Sequence, residues 1–150
     1  MLIVKQMNTI LLAFDGSENA KRALDMAIDL ATKYKAKLIV VEVVDIHSIN
    51  NALSPRGPSI DVTRIIGDLR AEAAGDVEQC LRLAQEKGLE ADGDVLEGDP
   101  TSEILRHSGE IKADLIVTGS RGLSLWKRLL MGSVSHRIVS ESKVANLVVR

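Results

Sequence analysis

Four short runs of branched aliphatic residues punctuate this chain: "NTILLAF" from Asn8, "AKLIVVEVV" from Ala36, "ADLIVTG" from Ala113 and "ANLVVR" from Ala145. Runs of this length with little polar alternation read as strands covered on both faces, the pattern of a parallel sheet. The intervals between them carry helical spacing instead. Ala20, Leu24, Ala27, Ile28 and Ala31 recur at three- and four-residue steps, which predicts a helix over 18–34 behind Asp15-Gly16-Ser17, a turn followed by a cap. Val62, Ile65, Ile66, Leu69, Ala73, Val77, Leu81 and Ala84 predict a long helix over about 61–87, stopped by Gly88. Gly67 and Gly75 inside it each cost roughly 1 kcal/mol relative to Ala, so its early part is expected to bend or fray.

Asp99 and Pro100 read as the cap and first turn of a third helix, and "SVSHRIVSES" as a fourth. The segment 89–98, "LEADGDVLEG", alternates Leu89, Ala91, Gly93 and Val95 with acidic residues, which predicts a half-exposed edge strand guarded by charge. Pro55, Gly57 and Pro58 mark 46–60 as a loop. The order is therefore β-α-β-α-β-α-β-α-β, with no internal repeat and no shift in composition, so 1–150 reads as one domain behind a short lead, 1–6. Alternation of this kind specifies an α/β, doubly wound parallel sheet with right-handed crossovers and helices on both faces. Ligands of such sheets bind beyond the carboxyl ends of the strands, where the strand order reverses. That rule brings Asp15, Val43 and Gly119 to one edge of the molecule.

Composition narrows the partners. Aromatics amount to 2%, just Phe14, Tyr34 and Trp126, so the core is aliphatic and no stacking platform for single-stranded nucleic acid exists. A net charge of −2 argues against duplex nucleic acid or an anionic membrane as the main partner. The charge is uneven: residues 1–118 carry 13 basic and 20 acidic groups, whereas 119–150 carry 6 and 1. Cys80 is the only cysteine, which excludes an internal disulfide and points to a reducing compartment. No run reaches the roughly 20 apolar residues of a membrane span, and "MLIVKQM" is short for a signal peptide, so a cytoplasmic protein is expected.

The positive excess coincides with the segment 114–139, "DLIVTGSRGLSLWKRLLMGSVSHRIV". Gly119 ends an apolar run, Gly122 follows it, and Gly132-Ser133 opens a helix, with Arg121, Lys127 and Arg128 between them. Phosphate binding needs unhindered main-chain amides and the positive end of a helix, which such a segment supplies. Ser133 and Ser135 add hydroxyls, Asp15 is suited to ribose hydroxyls, and the main chain at Val43 is placed for an adenine edge. Each feature also has a plainer reading, since glycines after strands and serines at helix starts are ordinary punctuation. Neither G-x-x-x-x-G-K-[ST] nor G-x-G-x-x-G occurs.

The spacing Gly119-x2-Gly122-x9-Gly132-Ser133 resembles the glycine signature of the ATP-binding branch of the universal stress protein (UspA) family. The likeness extends to "ILLAFDGSENAKRAL", "VVEVVD", "EGDP" and "NLVVR", essentially the whole chain from Met7. It implies a Rossmann-like five-stranded parallel sheet of order 3-2-1-4-5, related to the adenine nucleotide alpha hydrolases. It further implies that Asp15 meets the ribose and Val43 the adenine, that Thr118, Gly119, Ser120 and Gly122 line the ribose and phosphate side, and that Gly132, Ser133, Val134 and Ser135 hold the phosphates, with Ala13 and Arg121 completing the set. ATP with Mg²⁺ or Mn²⁺ on its phosphates, a homodimer through 145–150 and a role in stress response follow from the same resemblance. Arg121 stands where the family often has His, and Ala145 where it often has Pro.

No His/Cys/Asp/Glu spacing resembles a metal cage, and His47, His107 and His136 read as surface or satisfied side chains on loop, helix-end and first-turn positions. Cys80 reads as core. The expectation is thus a nucleotide-binding regulatory module with slow or absent hydrolysis. The alternative is a nucleotide-free dimeric interaction protein with a vestigial pocket.

Overall fold

The computed structural model describes residues 5–52, 61–120 and 132–150. Its strands are β1 (Thr9–Ala13), β2 (Lys37–Val44), β3 (Ala91–Glu97), β4 (Leu115–Gly119) and β5 (Ala145–Val149). The helices are α1 (Glu18–Tyr34), α2 (Ile46–Ala52), α3 (Val62–Glu86), α4 (Pro100–Glu110) and α5 (Ser133–Glu141). All the strands pair in parallel in the order β3-β2-β1-β4-β5. Asp114 sets the start of the central pair: its carboxylate accepts the amides of Asn8 at 2.9 Å and Thr9 at 3.1 Å.

Two aliphatic cores cover the two sheet faces. Ile10, Leu12, Leu38, Val40, Leu115 and Val117 point toward α1 and α3. Leu11, Ile39, Val41 and Ile116 point toward α4 and α5, where Ile104 and Ile138 meet them. Strand side chains alternate between faces, so a continuous apolar run is what a strand needs to fill both cores. Each fully buried Leu, Ile or Val contributes roughly 1.5–3 kcal/mol.

The small residues Ala20, Ala23, Ala27 and Ala31 form the buried stripe of α1 and let it lie close on the sheet. Ser17 caps this helix, accepting from the amide of Ala20 at 3.1 Å. Asp99 caps α4 in the same way, from the amide of Ser102 at 2.9 Å, with Pro100 behind it. The third helix approaches β3 through Gly93, where an added Cβ would stand 2.6 Å from Val77 Cγ1 and 2.7 Å from the carbonyl of Val40. That glycine belongs to the predicted edge strand, whose Ala91 and Val95 pack on the first core as the alternation requires.

Two expectations change. The stretch 46–60, read as a loop, contains α2 over Ile46–Ala52, so His47 lies on a helix. Asp45 makes the helix possible: its carboxylate accepts the Ser48 amide at 3.0 Å and the Ser48 hydroxyl at 2.6 Å. The prolines that marked the loop fall at 53–60, outside the described residues. The second concerns fraying of α3: the helix is continuous from Val62 to Glu86, through Gly67 and Gly75. Both glycines face open space, so their cost is one of backbone entropy rather than of geometry.

Candidate functional site

The central strands β1 and β4 are neighbours, yet their following helices leave on opposite faces, α1 toward the first core and α5 toward the second. A crevice opens at such a divergence. Ala13 and Thr118 stand opposite each other in register at its floor, and Val43 and Val134 pack beside Ala13 on the second core. Asp15 follows β1 and bends back on its own turn, its Oδ1 accepting the amide of Ser17 at 3.0 Å. The structure therefore gathers the expected residues from β1, β2, β4 and α5 at one edge of the sheet.

Ser120 organises the far side of the crevice. It is 3% exposed, its amide donates to the carbonyl of Val149 at 2.6 Å, and its own carbonyl accepts the amide of Gly132 at 2.5 Å. The first turn of α5 is thereby fastened to the end of β4. Ser133 is exposed at that helix start, and no acidic residue occupies the first turn, so the positive end of the helix dipole is uncompensated by a neighbouring carboxylate on α5. The Ser135 hydroxyl, expected to donate to a phosphate, is buried and donates to the carbonyls of Ser120 (3.2 Å) and Gly132 (3.1 Å). Its role here is to close the turn.

Gly119 answers to packing. An added Cβ would lie 2.9 Å from both the amide nitrogen of Ala20 and the carbonyl carbon of Asn19. The glycine thus admits the first turn of α1 against β4, whatever else approaches it. Asn19 follows from this contact, donating from Nδ2 to the Ser120 hydroxyl at 2.9 Å, a residue that sequence spacing did not single out. Arg121 and Gly122 lie outside the described residues, as do Trp126, Lys127 and Arg128.

A cavity of about 780 Å³ adjoins the crevice, between α1, α2 and α3 at the carboxyl ends of β1 and β2. Asp15 and Val43 line its upper edge, Phe14, Leu24 and Leu69 its apolar wall. Its polar side holds Glu42, Glu72 and Asp76. Burial pushes the Glu42 carboxyl up to about 8, and repulsion from Asp76, Asp15 and Glu72 adds to the effect. One oxygen of Glu42 is buried without a hydrogen-bond partner among the described residues. Lys21 also borders the cavity, but its ammonium pairs with Glu18 at 2.8 Å. Cys80 lines the same cavity, and burial pushes its thiol up to about 12, which removes it as a nucleophile. Among the described residues no group of three or more His, Cys, Asp or Glu side chains could hold a metal ion. His107 is buried on α4, with Nε2 lacking a hydrogen-bond partner among the described residues and Nδ1 3.6 Å from Glu110, so it is not the surface histidine expected. No described helix is long and apolar enough to cross a membrane.

An open, all-parallel α/β sheet of order β3-β2-β1-β4-β5 with helices on both faces defines the doubly wound, Rossmann-like class. Within it, residues 7–150 match the universal stress protein family, and the chain belongs to that family. The universal stress protein YxiE of Bacillus subtilis is 35% identical over 147 residues, covering 95% of this chain and 99% of the relative. Among solved structures, the hypothetical protein MJ0577, the subject of a structure-based assignment of biochemical function, superposes with a TM-score of 0.84 at 25% identity over 97% of this chain and 96% of its own. A universal stress protein solved in complex with cAMP superposes with a TM-score of 0.72 at 24% identity, covering 97% and 98%.

Proposed function

We propose that this chain binds an adenine nucleotide, ATP foremost, across the β1/β4 crevice, and that occupancy serves regulation in a stress response rather than turnover. The observation that carries the reading is the fastening of Gly132 to Ser120, which points the start of α5, free of acidic residues in its first turn, at the edge where Ala13, Asp15, Val43 and Thr118 converge. The acidic cavity supports one orientation: its carboxylates repel an oligophosphate, so the phosphates lie toward Gly132, Ser133, Val134 and Ser135, and the ribose and base toward Asp15 and Val43. The cAMP-bound relative of the same fold supports a nucleotide as ligand.

Mg²⁺ or Mn²⁺ fits this arrangement as a counterion carried on the phosphates, since the described residues build no cage of their own for it. Its chemistry there is charge neutralisation. We assign no catalytic base, so hydrolysis is slow or absent. The open edge of β5 is suited to pairing with a second copy, and a cytoplasmic location accords with the lone buried thiol of Cys80.

The test is thermal unfolding with ATP and Mg²⁺. A ligand present at 100 times its dissociation constant stabilises by about 2.7 kcal/mol, a shift of several degrees for a chain of this size. An unchanged midpoint with every adenine nucleotide overturns the reading. The competing reading, a nucleotide-free interaction module, draws on the internal use of the Gly132 amide and the Ser135 hydroxyl, and it predicts that null result.

A further inference from the structure

The crevice is held together by a side chain that the nucleotide reading alone does not require. Asn19 sits in the first turn of α1, where the missing Cβ of Gly119 lets its backbone close on the end of β4. Its Nδ2 donates to the Ser120 hydroxyl at 2.9 Å. Its Oδ1 accepts from the guanidinium of Arg22, which has only donors to offer and so fixes which way the amide faces. Arg22 in turn donates from Nε to the carbonyl of Arg150 at 2.9 Å, just beyond β5. Ser120 is therefore held from three directions: Asn19 grips its hydroxyl, Val149 its amide, and the start of α5 hangs from its carbonyl.

We propose that Asn19 is a positioning residue for the phosphate end of the site, acting through Ser120. The inference rests on the nucleotide reading. Among the described residues, the bond from Asn19 to the Ser120 hydroxyl ties a side chain of α1 to the residue whose carbonyl carries Gly132. Releasing that bond leaves a buried hydroxyl without its donor and lets the carbonyl swing, and the start of α5 moves with it. Main-chain amides that capture phosphate do so within a few tenths of an ångström, so a small displacement weakens phosphate contacts selectively. Contacts of the base and ribose, made on the other side of the crevice, are untouched.

The test compares the affinities of ATP and adenosine, at fixed Mg²⁺ and salt, for the wild type and for Asn19→Ala, Ser120→Ala and the double variant. In Asn19→Ala, one lost, partly buried hydrogen bond predicts a loss of about tenfold in ATP affinity with adenosine affinity unchanged. Both single variants lose the same phosphate-dependent increment, and the double variant loses no more than either, because the two side chains act as one unit. Circular dichroism and the thermal midpoint establish that each variant is folded. A wild type that prefers ATP and an Asn19→Ala variant that keeps the same ATP-to-adenosine ratio overturn the positioning role alone. Equal losses for both ligands also overturn it, since they mark a general loosening of the fold. A wild type without any preference for ATP overturns the nucleotide reading and this inference together.

Discussion

Replacing Glu42 by Gln isolates the electrostatics of the cavity. Glu42 stands at the carboxyl end of β2, on the face toward α1 and α3, where every neighbour in the strand is aliphatic. Burial raises its carboxyl from the ordinary value of 4.5 to about 8 in the folded chain, with Asp76, Asp15 and Glu72 contributing by repulsion. Between those two values the folded state holds a proton that the unfolded state has released. Stability must therefore fall as pH rises from about 4.5 to about 8, and level off above that for this group. The full shift corresponds to a ceiling of about 5 kcal/mol. Glu42 retains partial solvent access, so screening reduces this, and a loss of about 1–2 kcal/mol is expected. Gln fills the same volume, keeps a polar head for the cavity and cannot ionise. Urea unfolding of both proteins from pH 5 to pH 9 at constant ionic strength reads the difference directly, because every other titrating group is shared. Glu42→Gln should gain on the wild type as pH rises, by about 1–2 kcal/mol across the range. A difference that stays constant from pH 5 to pH 9 refutes the assignment of a neutral carboxyl to the native cavity.

Gly93→Ala should destabilise by about 1–3 kcal/mol in chemical unfolding, because one of the two atoms its Cβ would strike, the carbonyl of Val40, belongs to the neighbouring strand and cannot turn away. An unchanged midpoint would show that α3 and β3 are less closely apposed than the structure has them. The Cys80 thiol, buried and raised to about 12, should resist a disulfide exchange reagent in the native protein at pH 8 and react once the chain is unfolded in urea. Immediate reaction of the native protein would contradict its burial.

Much of this architecture was legible because period and chemistry agree. The helix over 18–34 has its bounds on a capping serine and a stripe of alanines, and each of the five strands falls within its apolar or alternating run. The order of the sheet followed from the family resemblance. What was not legible involves contacts between residues far apart in the chain. Asn19 and Ser120 are 101 positions apart, and nothing in either neighbourhood announces their bond. Gly119 was read as a ligand-side glycine, and the contact with the first turn of α1 that also demands a bare backbone there was not legible. Glu42 was hidden inside an apolar run, where strand parity turned it toward a cavity rather than toward solvent. The second helix was missed for a local reason: prolines further along outweighed the Asp45 and Ser48 pair that caps it.

Resonance shifts of the main-chain amides on titrating ATP with Mg²⁺ into ¹⁵N-labelled protein show where the nucleotide sits. A nucleotide held across the crevice produces saturable shifts at Ser133, Val134 and Ser135, at Thr118 and Ser120, and at Asp15 and Val43, while the outer strand β3 stays unmoved. Adenosine should reproduce the shifts at Asp15 and Val43 but not those on α5. Saturable shifts that bypass the start of α5, or none at all at millimolar ATP, would contradict this placement.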